Sequence, residues 1–371
     1  MITKRQKEIY TNLMGLVAFN DAFYFQDFEW GGSTCRIFNY RLASYTDFMM
    51  PDAIECRGIM FEVQNDTPIR LTSRPMQKFF NRFENPITMD VDLSQIESIS
   101  NKADGSLIST WMYDGSLRLK TKGSISSDQA LAAMKWMEQQ DSRFICALHS
   151  YDVQGYTVNM EWVAPDNRIV IGYMEPRLII LNIRHRSTGE YVQIEEDDYL
   201  YQFMDPPVDT KGLSLIDFVE QIPDMTDDIE GFVVKMKSGL WMKIKTKKYL
   251  SLHHCKDSVN NPRRLFEAIV DEGIDDIRSM FHEDKLLVSQ IDAMQVKVDH
   301  LYNNMVSVVE AFYDANKHLE RKDYAIKAQS DVDKLYFGLV MMKFLDKPTD
   351  YKGFLKKSYK HFGIKDIQNE E

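Results

Sequence analysis

Lys102, Asp104 and Gly105 stand in the stretch KADGSLI, where a lysine precedes an Asp-Gly pair and an apolar run. Two kinds of behaviour suit these residues. An Asp-Gly pair turns the chain, so Lys102 can be an ordinary cation beside a tight turn that leads into a strand. A lysine amine can also act as a nucleophile that takes a nucleotide onto its own side chain. Taken alone, the turn is the stronger reading, because K-x-D-G arises by chance in on the order of one chain in ten of this length. The second reading gains weight only if other parts of a nucleotide site occur in a workable order.

Several do. In ECRGIMFE, Arg57 and Gly58 lead into an apolar strand. There a guanidinium fork can meet a phosphate or ribose, while the glycine lets the backbone approach closely. In RPMQKFFN, Lys78 sits beside Phe79 and Phe80, which suits a phosphate next to a stacked base, although aromatic pairs more often fill cores. MEWVAP places Glu161 between apolar residues, a costly position for an acid without a partner. Glu161 can accept a hydrogen bond from ribose or help hold a metal, and Glu230 in EGFVVKMK is placed similarly just before a strand. In WMKIKTKKY, Lys243 and Lys245 alternate with Met242 and Ile244, so the period of two puts both ammonium groups on one strand face. Lys235 and Lys237 precede them across a Ser238-Gly239 turn, which reads as a hairpin. Like charges side by side cost stability. A triphosphate would relieve that cost, and a solvated edge whose lysines discourage strand pairing explains the same pattern.

These residues need elements to position them. The chain has 371 residues, enough for two domains or three. From about 30 to 250 it reads as mixed α and β. TCRIFNY, RGIMFEV, PIRLTS, LISTWMY, SLRLKTK, TVNMEWV, RIVIGYM, RLIILNIR, GFVVKMK and LWMKIKT have strand length and β-branched or aromatic enrichment. Ser127 to His149 reads as a helix. Strands outnumber helices without alternating with them, which argues against a parallel doubly wound sheet. After about residue 250 only helices are expected: one from the Asn261-Pro262 cap through Val270, then 284–315, 323–345 and 351–362, the last stopped by Gly363. The Met-rich stripes there read as core, and the IQNEE tail as frayed.

Composition narrows the classes. Hydrophobic residues make up 44% and charged residues 27%, as in a globular protein, and no apolar run reaches the roughly 18 residues of a membrane span. The N-terminus reads as an amphipathic helix without a signal peptide's apolar core, which points to the cytoplasm. Cys35, Cys56, Cys146 and Cys255 form no CxxC pair, which suits a reducing compartment and no cysteine-based zinc site. His253, His254 and Cys255 are adjacent, and adjacent side chains rarely converge on one ion. The net charge of −11 argues against unspecific coating of nucleic acid. Locally the balance reverses: Gly231 to Tyr249 holds six lysines and no acid, and Arg118, Lys120 and Lys122 form a second basic cluster.

In chain order the set is Arg57, Lys78, Lys102-Asp104-Gly105, Lys122, Glu161, Glu230, Lys243 and Lys245. It resembles the covalent nucleotidyltransferase superfamily of ligases and capping enzymes, and in detail the RNA ligase 1 family of T-even bacteriophages. ECRGIMFE, SRPMQKFFN, KADGSL, KTKGSI, EWVAP, EGFVVKMK and MKIK carry the likeness, which runs over essentially the full chain. Ala103 stands where relatives can carry glutamate. The helices that follow the last lysine motif favour the RNA ligase over DNA ligases and GTP-using capping enzymes, which usually continue into a strand-rich barrel. A non-catalytic RNA-binding relative is disfavoured because the whole set is intact.

The resemblance implies an α+β chain. Residues 1–250 would be an adenylyltransferase domain of ATP-grasp-like antiparallel sheets with helices, and 251–371 an all-α domain linked to recognition of broken tRNA. It implies that Lys102 attacks the α-phosphate of ATP, releases pyrophosphate and carries AMP. The AMP then passes to an RNA 5′-phosphate, and a 3′-hydroxyl displaces it to form a phosphodiester. Tyr40, Arg57, Lys78 and Glu161, with Lys102, Lys243 and Lys245, would contact the nucleotide. Asp104, Gly105, Lys122 and Glu230 would complete the catalytic set, Tyr249 matches a position needed for ligation, and Asp275 matches a position for Mg2+ (or Mn2+). Without the resemblance Asp275 is only a helix-start carboxylate. The implied partner is RNA with 5′-phosphate and 3′-hydroxyl ends, nicked tRNA in particular, met by a monomer in the cytoplasm of an infected cell if the chain is of phage origin. The chemistry makes physical demands. A free lysine, with a pKa near ~10.4, is a poor nucleophile at neutral pH. Lys243 and Lys245 are the expected cationic neighbours that disfavour its charged form, and a metal would clamp charge building on the phosphate.

Overall fold

The computed structural model describes residues 2–167, 169–252, 261–282 and 284–364. Two compact units result, Met1–His253 and His254–Glu371, and the chain is α+β, with antiparallel sheets in the first unit and helices in the second. His253, His254, Cys255 and the IQNEE tail lie outside the described residues. Among the described residues, no helix is long and apolar enough to cross a membrane.

Three sheets build the first unit. β1 (Phe23–Trp30), β2 (Ser33–Tyr40), β3 (Ile59–Gln64) and β4 (Thr67–Ser73) form an antiparallel meander. Helix α1 (Lys4–Phe19) starts at a Thr3–Gln6 capping box and packs Ile9, Leu13 and Leu16 in one core with it. The second sheet runs β11 (Tyr191–Val192), β10 (Arg177–His185), β9 (Tyr156–Val163), β7 (Ser106–Tyr113), β8 (Ser116–Thr121). Helices α3 (Asp128–Glu138) and α4 (Ser142–Val153) pack Ala133, Met137, Phe144 and Leu148 against it. The third runs β5 (Phe80–Asn81), β13 (Trp241–Lys245), β12 (Gly231–Met236), β6 (Ile96–Lys102). Its Val234, Met236, Met242 and Ile244 share a core with Phe218 and Val219 of α5 (Leu215–Gln221). The alternation puts Val233, Lys235, Lys243 and Lys245 on the opposite face. A short helix α2 (Pro86–Met89) precedes β6, and α6 (Lys247–Leu252) follows β13.

The second unit contains α7 (Pro262–Val270), α8 (Ile274–Met280), α9 (Lys285–Asn316), α10 (Arg321–Asp331), α11 (Phe337–Phe344) and α12 (Tyr351–Lys357). Ile291, Val298, Met305 and Val309 of the 32-residue α9 are buried. They stand at spacings of seven, seven and four, the apolar stripe of a packed helix.

Three sequence expectations change. RIVIGYM is not a strand: residues 169–174 are bends and coil, and the Val170 and Ile171 N–H groups donate to the Asp104 carboxylate at 2.8 and 2.7 Å. A side chain takes the donors that a neighbouring strand would have used. The expected helix over Ser127–His149 is two helices, because Asp141 caps α4 by accepting from the Arg143 N–H. The expected helix over 323–345 is also two. Val332 is extended after α10, and Asp333 accepts from the Leu335 N–H.

Candidate functional site

A cavity of about 1270 Å³ lies between the lysine-bearing face of the third sheet and strands β7, β9 and β10 of the second. Tyr40, Arg57, Lys78, Lys102, Gly105, Lys122, Glu161, Lys243 and Lys245 all line it. Residues scattered over more than 200 positions of sequence thus share one space.

Local structure explains how. Lys102 ends β6 opposite Gly231 on β12, and Gly231 lies opposite Lys245 on β13. This register brings Lys102 and Lys245 to the same end of the sheet. It also revises the hairpin charge argument, because Val233 and Gly231, not lysines, oppose Lys243 and Lys245. Like charges therefore do not face each other directly. Glu230, one residue before β12 and nearly inaccessible, joins the end groups: its carboxylate accepts from Lys102 Nζ at 2.7 Å and pairs with Lys245 Nζ at 3.0 Å. The sequence pointed to lysines as the charged neighbours of Lys102; in this structure its ion-pair partner is a carboxylate.

Glu161 faces the same end from β9 and accepts the Gly105 N–H at 3.2 Å. Burial pushes its carboxyl up to about 7; Lys102 opposes the rise, Glu230 adds to it and Arg57 opposes it. Gly105 must be glycine, since a Cβ would stand 2.3 Å from the Trp162 carbonyl oxygen. Gly58 is similar: with φ +89, its Cβ would lie 2.6 Å from the carbonyl oxygen of Lys122. That close approach sets Arg57 beside Lys122. Lys122 Nζ lies 4.7 Å from the Tyr40 ring centre, and Lys78 Nζ lies 5.1 to 5.5 Å from those of Tyr40, Phe48 and Phe80. These are cations on aromatic faces.

Asp104, Glu230 and Tyr249 are in contact with this constellation without lining the cavity. Besides the Val170 and Ile171 amides, the buried Asp104 carboxylate accepts from the Tyr249 hydroxyl at 2.8 Å. Lys245 Nζ lies 5.1 Å from the centre of the Tyr249 ring. Asp104 and Tyr249 therefore brace the turn after Lys102 from behind. Asp275 is in the second unit, in the first turn of α8 with Asp276.

The basic cluster Arg118, Lys120, Lys122 divides. Lys122 lines the cavity, while Arg118 lies over Trp30. Lys120 is fully buried and donates to the Gly58 and Thr121 carbonyls at 2.7 and 3.0 Å. Burial pushes its ammonium down to about 7. It ties the strand that follows Arg57 to the strand end that precedes Lys122; in sequence it stood out only as a member of the basic cluster, with nothing to mark it as buried. A second feature left no signal. Buried Glu55 accepts from Arg74, Arg184 and Gln77 at 2.7 to 3.4 Å. Burial alone would raise its carboxyl, but Arg184 and then Arg74 outweigh that and hold it at about 2. This network links the turn before Arg57 to β10 across the first two sheets.

Mg2+ favours octahedral oxygen coordination and usually keeps several waters while bridging substrate phosphates. Among the described residues no three His, Cys, Asp or Glu side chains converge on one point. Glu161 is an oxygen donor at the cavity wall, so the arrangement suits an ion carried in on phosphates.

Comparison with known proteins bears on the same segments. A family model described as RNA ligase matches residues 55–250, and one described as T4 RNA ligase 1, C-terminal domain, matches 256–368. The chain belongs to the RNA ligase family. A protein of Thermovibrio ammonificans, provisionally named an RNA ligase, is 24% identical over 305 residues, 80% of this chain and 79% of that protein. RNA ligase 1 of bacteriophage TS2126 is 26% identical over 153 residues, 39% of this chain and 38% of the relative. Among solved structures, an archaeal ATP-dependent RNA ligase superposes with a TM-score of 0.46 at 13% identity, covering 81% of this chain and 79% of its own.

Proposed function

We propose that this protein joins RNA ends at the expense of ATP, through an adenylate carried on Lys102. The observation that carries the reading is that Lys102 and Lys245, bridged by Glu230 from behind, line a cavity with basic and aromatic walls. Lys102 Nζ attacks the α-phosphorus of ATP; a P–N bond forms, and the bond to the leaving pyrophosphate breaks. The ammonium must first lose a proton, and the Glu230 oxygen 2.7 Å away is positioned to receive it. Arriving phosphates give Lys102 and Lys245 a second anionic partner, which loosens their hold on Glu230. Lys243 and Lys245 then balance charge on the phosphates as pyrophosphate departs. Glu161 accepts from the ribose, and Tyr40, Arg57, Lys78 and Lys122 hold the nucleotide. Glu161 would supply an oxygen to a divalent ion at the cavity wall, and Mg2+ (or Mn2+) held there would supply neutralisation of phosphate charge. Asp275 keeps its metal role on the resemblance alone.

In the second step an oxygen of the RNA 5′-phosphate displaces Lys102 from the adenylate, so a P–O bond replaces the P–N bond. In the third, a 3′-hydroxyl attacks that 5′-phosphate, a phosphodiester forms and AMP leaves. The first unit supplies this chemistry, with Asp104 and Tyr249 as positioning residues. The second, on the resemblance, selects broken tRNA.

The test is incubation with ATP labelled at the α-phosphate and Mg2+, without RNA, followed by denaturing electrophoresis. Label on the wild-type protein, absent in Lys102→Ala and absent when GTP replaces ATP, is the expected result. No label on protein freed of pre-existing AMP and supplied with pyrophosphatase would overturn the reading.

A further inference from the structure

A second cavity, of about 610 Å³, shares Tyr191, Val192, Lys235 and Trp241 with the nucleotide cavity. Its remaining walls include Tyr156, His185 and Glu190. We infer that this outer cavity is a base-stacking subsite for the RNA strand, holding a nucleotide near the end to be joined. The inference rests on the ligase reading and adds where the RNA lies.

The partition between the two cavities is aromatic. The Tyr191 and Trp241 rings are 4.8 Å apart and tilted by 31°. Tyr191 is held firmly. It faces Arg184 across the β10–β11 ladder, the Arg184 guanidinium lies 5.2 Å from its ring centre, and its hydroxyl accepts the Gln77 N–H at 3.3 Å. Arg184 is in turn clamped by Glu55. On the other face of this sheet edge, one residue on from Arg184, Tyr156 and His185 face each other across the β9–β10 ladder, with rings 4.9 Å apart. His185 Nδ1 accepts the Thr188 N–H at 3.2 Å, which fixes the imidazole plane. The outer cavity wraps this sheet edge, so each face offers it an aromatic pair on which a flat base can stack; every base has a π-face and stacking tolerates sequence.

The polar groups also suit RNA. Lys235 pairs with Glu97 at 2.7 Å, and both side chains are solvent-accessible. Such a pair holds weakly, so the ammonium can turn to a phosphate. Glu190 is unsuited to a phosphate but can accept from a base's exocyclic amine, as carboxylates do from cytosine. Position fits as well. Trp241, Lys243 and Lys245 alternate on β13, so Trp241 stands about 13 Å along the strand from Lys245 at ~3.3 Å per residue. That is a reach a few nucleotides span, and the outer cavity continues the nucleotide cavity at that end.

The test uses the full chain, with His185→Ala and the milder Tyr156→Leu, neither of which lines the nucleotide cavity. Three quantities are measured: Lys102 labelling by ATP without RNA, the RNA KM for sealing a single-stranded oligoribonucleotide with 5′-phosphate and 3′-hydroxyl ends, and the fluorescence of 2-aminopurine placed at successive positions from each end. Both variants are expected to label with ATP at the wild-type rate. Their RNA KM should rise about 5- to 150-fold, the range for loss of one base–aromatic stack. Wild type should quench 2-aminopurine at one position, His185→Ala should not, and that position identifies the 5′-phosphate or the 3′-hydroxyl strand as the occupant. An unchanged RNA KM, quenching that survives in both variants, or ATP labelling slowed as much as sealing would overturn the inference. Failure of the wild type to label would count against the ligase reading instead, and the fluorescence arm would still report whether a base enters the outer cavity.

Discussion

The two units bury different things. Among the described residues the first buries Arg36, Glu55, Arg74, Asp104, Lys120, Asp152, Arg184 and Glu230, whereas the buried polar residues of the second are Asn316 and Ser358. In the second, acids and bases meet at accessible positions, as in Lys356–Asp271 and Lys352–Glu272, while Ile291, Val298, Met305 and Val309 are covered. Buried charge is costly unless every group finds a partner. The first unit accepts that cost, behind its cavity at Asp104 and Glu230 and away from it at Arg36 and Asp152, and the second avoids it. The difference separates a part shaped to hold charges at fixed distances from one that folds by apolar contact.

The contrast predicts where each unit breaks. The largest effect is expected from Glu55→Ala, which strands two buried guanidinium groups and should cost about 3–5 kcal/mol. Urea denaturation followed by the fluorescence of Trp30 and Trp111, both in the first unit, would read it. In the second unit the damaging change is apolar. Ile291→Ala should cost about 2–5 kcal/mol by opening a cavity, seen as loss of helical circular dichroism at lower denaturant. Its Lys102 labelling by ATP should be unchanged if chemistry belongs to the first unit.

Glu161 gives a pH-dependent version of the contrast. Its folded carboxyl titrates at about 7, above the ordinary carboxylate range, so the folded state binds more protons than the unfolded state between about pH 4.5 and 7. Its contribution to stability is therefore present below that window and lost as pH rises through 7. Glu161→Gln should gain stability relative to wild type on going from pH 5 to pH 8, by on the order of 2 kcal/mol. A Tm difference that is flat with pH would contradict this. The smallest effect is expected at the surface of the second unit, where Lys356→Ala removes an accessible pair with Asp271 and should change stability by at most about 1 kcal/mol.

The sequence revealed these features unevenly, for physical reasons. Lys243 and Lys245 were legible because alternation on a strand is local, and their common face follows from it. Arg57, Lys78, Lys122 and Glu161 were legible as short motifs, and the structure brings them to one cavity. The Asp104–Tyr249 bond spans 145 positions and the Glu55–Arg184 clamp 129, so neither has a local pattern. RIVIGYM misled because β-branched composition reports a preference for extended backbone, whereas the Asp104 carboxylate decides where its N–H groups go. In the second unit apolar spacing located the helices, but Val332 and Asp333 broke one of them through turn geometry that periodicity does not carry.

The most direct measurement is to locate the adenylate. Full-length protein would be incubated with ATP and Mg2+ without RNA, digested, and its peptides sequenced by mass spectrometry. AMP is expected on Lys102, opposite Gly231 and paired with Glu230, with a sharp loss of adenylate in Glu230→Ala. Adenylate on another lysine, or undiminished adenylate in Glu230→Ala, would contradict it.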